Sequence, residues 1–107
     1  MARAYKNAKV DLTSTDITVL YTCPSVTTAI VTSILVSEDS GNADTISLTL
    51  TNTASAVFSL YKVKAVSANT TVELLTRPLV VLESEILEVQ AATADRLHVV
   101  ASLLELS

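Results

Sequence analysis

One histidine, one cysteine and two groups of carboxylates are the side chains here whose types and spacing could do chemistry. A nucleophile–histidine–acid set would have to use His98. Ser102 lies four positions on, so a strand places both on one face, roughly 13 Å apart. That separation is too long for a hydrogen bond, and no Gly-x-Ser-x-Gly motif presents another serine. His98 is therefore read as a surface or interface side chain. Glu83, Glu85 and Glu88 cluster at a turn, and paired carboxylates can cleave glycosides. With aromatics at only 4% of the chain, no aromatic cleft accompanies them, and a solvated acidic turn is expected. Glu38, Asp39, Asn42 and Asp44 surround Gly41, a density of oxygen ligands that could hold Ca²⁺. The bidentate glutamate of the twelve-residue calcium loop is missing, so this segment reads as a polar hairpin loop. One Cys and one His do not make a zinc site. Cys23 precedes Pro24 in an apolar run and reads as a buried structural thiol without a disulfide partner in the chain. No phosphate-binding glycine loop is present, and Asn69-Thr70-Thr71 fits the N-glycosylation acceptor pattern without a secretory signal beside it. The expectation is no catalytic residue, no metal, no cofactor, and no enzyme.

The elements that would position these groups are strands. In Thr45–Thr51, Ile46, Leu48 and Leu50 share one face, while Thr45, Ser47, Thr49 and Thr51 share the other. A period of two marks a half-buried strand, and Thr and Val branch at Cβ as a pleated surface favours. Further strands are expected over 8–12, 17–23, 28–37, 44–51, 58–65, 70–75, 79–82, 86–91 and 96–106. In 28–37, simple alternation sets Ile30, Ile34 and Val36 against Ala29, Val31 and Leu35, so both faces are apolar, as in a covered or central strand. The phase of 58–65 changes midway, which a bulge or a lysine-guarded edge would explain. Residues 1–9 read as an N-terminal arm and 10–107 as one domain. About eight short strands joined by polar turns imply an all-β fold, a single antiparallel β-sandwich of Greek-key or jelly-roll type.

Composition narrows the function classes. The 107 residues leave room for one core. Half of them are hydrophobic and the mean hydropathy is +0.50. A domain this small leaves roughly a third or more of its unfolded surface exposed, so apolar side chains are expected on the outside. That favours a subunit packed against copies of itself or other proteins. Arg3, Lys6 and Lys9 make the start basic, whereas from Asp11 onward four basic residues face eleven acidic ones. The acidic body argues against nucleic acid as the partner. The longest apolar stretch, 29–36, is far shorter than the roughly 20 residues a membrane helix needs, so no membrane association is expected. With a single glycine, Gly41, turns must be built from Asn, Asp and Ser.

Tyr21-Thr22-Cys23-Pro24-Ser25 leads into Ala29-Ile30-Val31 and then Ser33-Ile34-Leu35-Val36. A polar loop from Ser40 to Asp44, the alternating Thr/Leu strand, Ala68–Leu74 and a C-terminal strand near Leu97–Leu104 follow. This succession resembles small structural proteins of tailed phages, including those that infect cyanobacteria. The resemblance implies a virion component, a capsid decoration (cement) protein or a head–tail, tail or fibre-attachment protein, made in the host cytoplasm. It implies a homo-oligomer, a trimer among the candidates, docked on proteins such as the major capsid protein. The rival is a carbohydrate- or receptor-binding sandwich, which would need exposed aromatics such as Tyr21 or Tyr61 in a groove. The contact residues expected from the charge split and the two-sided last strand are Arg3, Tyr5, Lys6, Lys9, Val100, Leu104 and Leu106.

Overall fold

The alternating segments become nine strands in a computed structural model, which describes residues 2–107. They are β1 (Arg3–Asp11), β2 (Thr18–Thr22), β3 (Thr28–Glu38), β4 (Asp44–Thr51) and β5 (Val57–Val66), then β6 (Thr71–Glu73), β7 (Leu79–Val81), β8 (Ile86–Ala91) and β9 (Leu97–Leu106). One sheet runs β1-β9-β3-β6, with β7 also on β3; the other runs β2-β8-β4-β5. All pairs are antiparallel. β6 lies along 35–37 of β3 and β7 along 29–31, so together they fill one strand position broken by Arg77-Pro78. Every connection crosses between the sheets except the β4–β5 hairpin and the β6–β7 break. That winding is a jelly roll, four strand positions per sheet, and the all-β sandwich expected from the sequence is the fold.

The inward faces are aliphatic. Ile34, Ile46, Leu48, Leu87, Leu97 and Val99 are fully buried between the sheets. Val, Leu and Ile fill a gap of about 10 Å without large rings, which the low aromatic content demanded. The clean strand at 44–51 has the bounds and the inward face its alternation predicts. β3 does not alternate simply. A register shift between Val31 and Ser33 brings Ala29, Val31, Ile34 and Val36 onto the buried side and leaves Ile30 and Leu35 outside. One extra residue at a bulge exchanges faces downstream of it. The expected phase change in 58–65 is also real: β5 is an edge strand with two register shifts.

The first strand starts at Arg3 rather than residue 8. Residues 3–7, read as an arm, are paired with β9, from Arg3 opposite Leu106 to Asn7 opposite Ser102. The inward side of β1 carries Ala4, Lys6 and Ala8, so its apolar signal is faint, and the backbone of the longer β9 supplies the ladder.

Turn chemistry follows from the scarcity of glycine. Ser55, Asn69, Ser84 and Asp95 join Gly41 at positive φ, as do Val26 and Val63. A β-branched residue there is sterically strained. Val63, at φ 54°, sits at a β5 register shift, where its amide donates to the Ser47 hydroxyl at 3.0 Å.

Two substitutions test this description. Ile34→Ala should cost about 2–5 kcal/mol in urea unfolding, the range for truncating a buried aliphatic side chain. Val63→Gly should gain up to about 1 kcal/mol. Relief of a left-handed β-branched residue, about 1–2 kcal/mol, is partly offset by glycine's extra unfolded-state entropy of about 0.5–1 kcal/mol. A destabilised Val63→Gly would contradict the strained bulge.

Candidate functional site

β9 places His98 on the outer face of the five-stranded sheet, between Asp11 of β1 and Ser37 of β3 in the cross-strand register. The His98 Nε2 lies 3.3 Å from Asp11, and Nδ1 lies 3.7 Å from Asp39. Ser102 is on the same face further along β9, as its spacing requires. Ser37 is the nearer serine in register, and local spacing could not reveal it because strand pairing brings it there. Each ring nitrogen faces a carboxylate, so neither is directed to take the Ser37 proton. The arrangement is that of an exposed charge cluster.

The loop carboxylates are occupied by backbone donors. Glu38 is 2% exposed and accepts from the amides of Ser40 (2.9 Å), Gly41 (3.0 Å) and Asn69 (3.1 Å), and from the Ser40 hydroxyl. It thereby ties the β3–β4 loop to the β5–β6 loop. Burial would raise its pKa; the Ser40 hydroxyl and the three amides outweigh that and hold it at about 2. Asp44 accepts from the amides of Thr45 and Thr93. The two groups most suited to calcium thus serve as loop fasteners. Among the described residues, no three His, Cys, Asp or Glu side chains converge as a metal site. Glu83 accepts from the Val26 amide, Glu85 from the Leu82 amide and Glu88 from the Thr51 hydroxyl. The acidic cluster is dispersed among three separate partners.

A polar group that sequence reading missed closes one end of the sandwich. Glu105 is inward on β9 and 8% exposed. The Tyr21 hydroxyl donates to its Oε2 at 2.5 Å, and Lys6 Nζ lies 2.9 Å from its Oε1. These bonds hold the Glu105 carboxyl below its ordinary range, Tyr21 first and Lys6 next, against its burial. Burial, then the bond to Glu105, pushes the Tyr21 phenol up. Cys23 is buried nearby, its thiol 3.4 Å from the Thr27 carbonyl, and burial raises it.

The remaining feature is a surface. Cross-strand pairing sets Tyr5, Leu104, Ile30 and Val80 in one row across the outer face of the five-stranded sheet. A second row runs Lys9, Val100, Leu35 and Glu73. Tyr5 is 84% exposed and Val80 50%; Val100 and Leu35 are also exposed. Of the contact residues expected from the sequence, Arg3, Tyr5, Lys9, Val100, Leu104 and Leu106 share this face. Lys6 does not; it turns to the rim, beside Glu105. The outer face of the other sheet is mixed: polar pairs such as Thr49 opposite Glu88 and Ser47 opposite Gln90 lie beside exposed Val19, opposite Glu88, and exposed Val57, opposite Thr51. No protein-family model and no curated protein sequence matches the chain.

Two outcomes follow. Glu38 is charged in the fold down to about pH 2, against an ordinary value of 4.5. The stability it contributes is complete above about pH 4.5 and is lost as the pH falls toward 2. Glu73 and Glu105 are shifted in the same direction. The urea midpoint should therefore drop across that window, and Glu38→Gln should flatten part of the slope; a wild-type midpoint constant with pH would refute this. Tyr21→Phe should cost about 1–2 kcal/mol at neutral pH, because a buried carboxylate loses a donor, with an unchanged fold by circular dichroism.

Proposed function

We propose that this chain is a non-enzymatic virion structural protein, a capsid decoration protein that self-associates and docks on a phage particle. The observation carrying the proposal is the set of exposed aliphatic side chains, with Tyr5, in two rows on the outer face of the five-stranded sheet. Exposed apolar surfaces belong to binding sites, and here two rows with exposed aliphatic side chains, Tyr5-Leu104-Ile30-Val80 and Val100-Leu35, flank the polar row Asn7-Ser102-Ser33. Chemistry-capable side chains elsewhere act as fasteners, which suits a part whose task is to hold shape. Jelly rolls serve in viral capsids and also in lectins and cupins, so fold alone does not choose among these. The phage resemblance of the Tyr21–Val31 segment favours the virion. A head–tail, tail or fibre-attachment component draws on the same surface.

The carbohydrate-binding reading has less support. Tyr21 is half-buried and bonded to Glu105, and Tyr61 is half-buried with Lys64 Nζ 5.8 Å from its ring centre. A shallow depression of about 330 Å³, lined by Thr15, Thr45, Ser47 and Gln90 among others, carries no aromatic side chain.

Purified particles of the encoding phage should contain the protein, in numbers that follow the shell subunits. Electron cryo-microscopy should place its density on the capsid exterior. Density confined to the tail would replace decoration by the tail reading, and particles without the protein would refute a virion role.

A further inference from the structure

The outer face of the five-stranded sheet is self-complementary. From this the geometry points to a specific occupant, a second copy of the chain, bound face to face about a two-fold axis. The inference rests on the reading of the chain as an associating structural protein and names the partner of that face.

The argument is one of register. A two-fold axis along the strands, between β9 and β3, carries β1 of one copy over β6 and β7 of the other. Residues in one cross-strand row keep their height along the axis. The row Lys9, Val100, Leu35, Glu73 then meets itself reversed. Lys9 faces the second copy's Glu73, and Val100 faces its Leu35. The row Tyr5, Leu104, Ile30, Val80 does the same, so Tyr5 covers Val80 and Leu104 covers Ile30. One operation matches Lys9 with Glu73 at both edges and apolar side chains within these two rows, and it sets the polar row between them against itself, Ser102 over Ser33, as an isologous interface requires. Among the described residues Lys9 Nζ donates to the neighbouring Asn7 side chain at 3.2 Å, within reach of a new partner. The Glu73 carboxylate accepts from the Ser33 hydroxyl and from the amides of Ile34 and Leu75, which hold it below the ordinary range against burial. Packed sheets cross at about 30°, which long edge side chains can follow.

Area permits the contact. Four strands about 4.8 Å apart and the length of β1 from Arg3 to Asp11, about 26 Å, give roughly 500 Å² on each copy, a face that takes in the polar rows as well as the two apolar ones, which lie about 13 Å apart. The pair then buries about 1,000 Å², the lower bound for a specific interface.

Tyr5 and Val80 are both exposed, so charges can be placed there without touching the core. In analytical ultracentrifugation, wild type should be a dimer. Tyr5→Glu and Val80→Lys should each weaken it at least tenfold, and the double variant should recover most of the affinity, because the axis sets the two positions opposite each other. A monomeric wild type, a dimer indifferent to either change, or single losses without rescue would each overturn the proposal. A monomer whose particle binding is lost in Tyr5→Glu would assign the face to a shell protein instead and overturn it too. The virion reading fails separately: it falls if the chain is absent from particles, whatever its state in solution.

Discussion

The ladder of β9 between β1 and β3 is the constraint on which the other features rest. One face of this ten-residue strand fills the core with Leu97, Val99, Ala101 and Leu103. The other supplies His98, Val100, Leu104 and Leu106 to the outer surface. Its register with β3 holds only because a bulge at 31–33 resets the phase. Without that extra residue, Ile34 and Val36 would point outward and Leu35 would enter the core. In a sheet, a slip of one residue exchanges faces, so the bulge decides at once which aliphatics stabilise the fold and which remain outside. β1 then takes its register from β9, which puts Tyr5 and Lys9 on the surface and Lys6 beside Glu105.

The acidic balance of the chain looks unfavourable for compactness until the carboxylates are followed to their partners. Glu38 gathers amides from two loops, Glu73 binds the bulge of β3, and Glu105 joins the two sheets through Tyr21. A buried charge is tolerable only with such donors around it. In each case the donors outweigh burial, so ionisation and folding support one another. Glu73 shows the economy of the arrangement: its acceptor bonds to Ser33 and Ile34 satisfy polar groups at the bulge that the whole register depends on.

Much of the fold was legible because alternation is a local signal. The strand at 44–51 shows its period directly, and the two-sided character of 97–106 is written in its apolar residues. What was illegible depended on partners distant in the chain. β1 looked like an arm because the inward side of residues 4–8 is small or charged; only β9, some ninety positions away, makes it a strand. The bulge in β3 hid because Thr32 and Ser33 fit either phase. The Tyr21–Glu105–Lys6 group joins residues from three strands, and no spacing rule anticipates it. The residues expected to make contacts, by contrast, mostly lie on one side of the sheet, since residues alternating on β1 and β9 fall together once the two strands pair.

Edges explain why association would use a face. Open sheet edges invite strand addition, and native proteins block them with charge, bulges or short strands. β1 carries Arg3, Lys6 and Lys9 along its length. β5, at one edge of the second sheet, is broken by two register shifts and carries Lys62 and Lys64. β6 and β7 have three residues each, and β2 has five with a shift of its own. Every edge is thus guarded by one of these devices. The outer face of the first sheet is guarded differently: Lys9 and Glu73 lie at its two margins, Asp11 and His98 toward one end, and the polar row Asn7-Ser102-Ser33 divides its aliphatic residues. In the proposed face-to-face contact, that distribution would favour one alignment over disordered stacking, so the same strand pattern that suppresses open-ended sheet growth would permit a closed assembly.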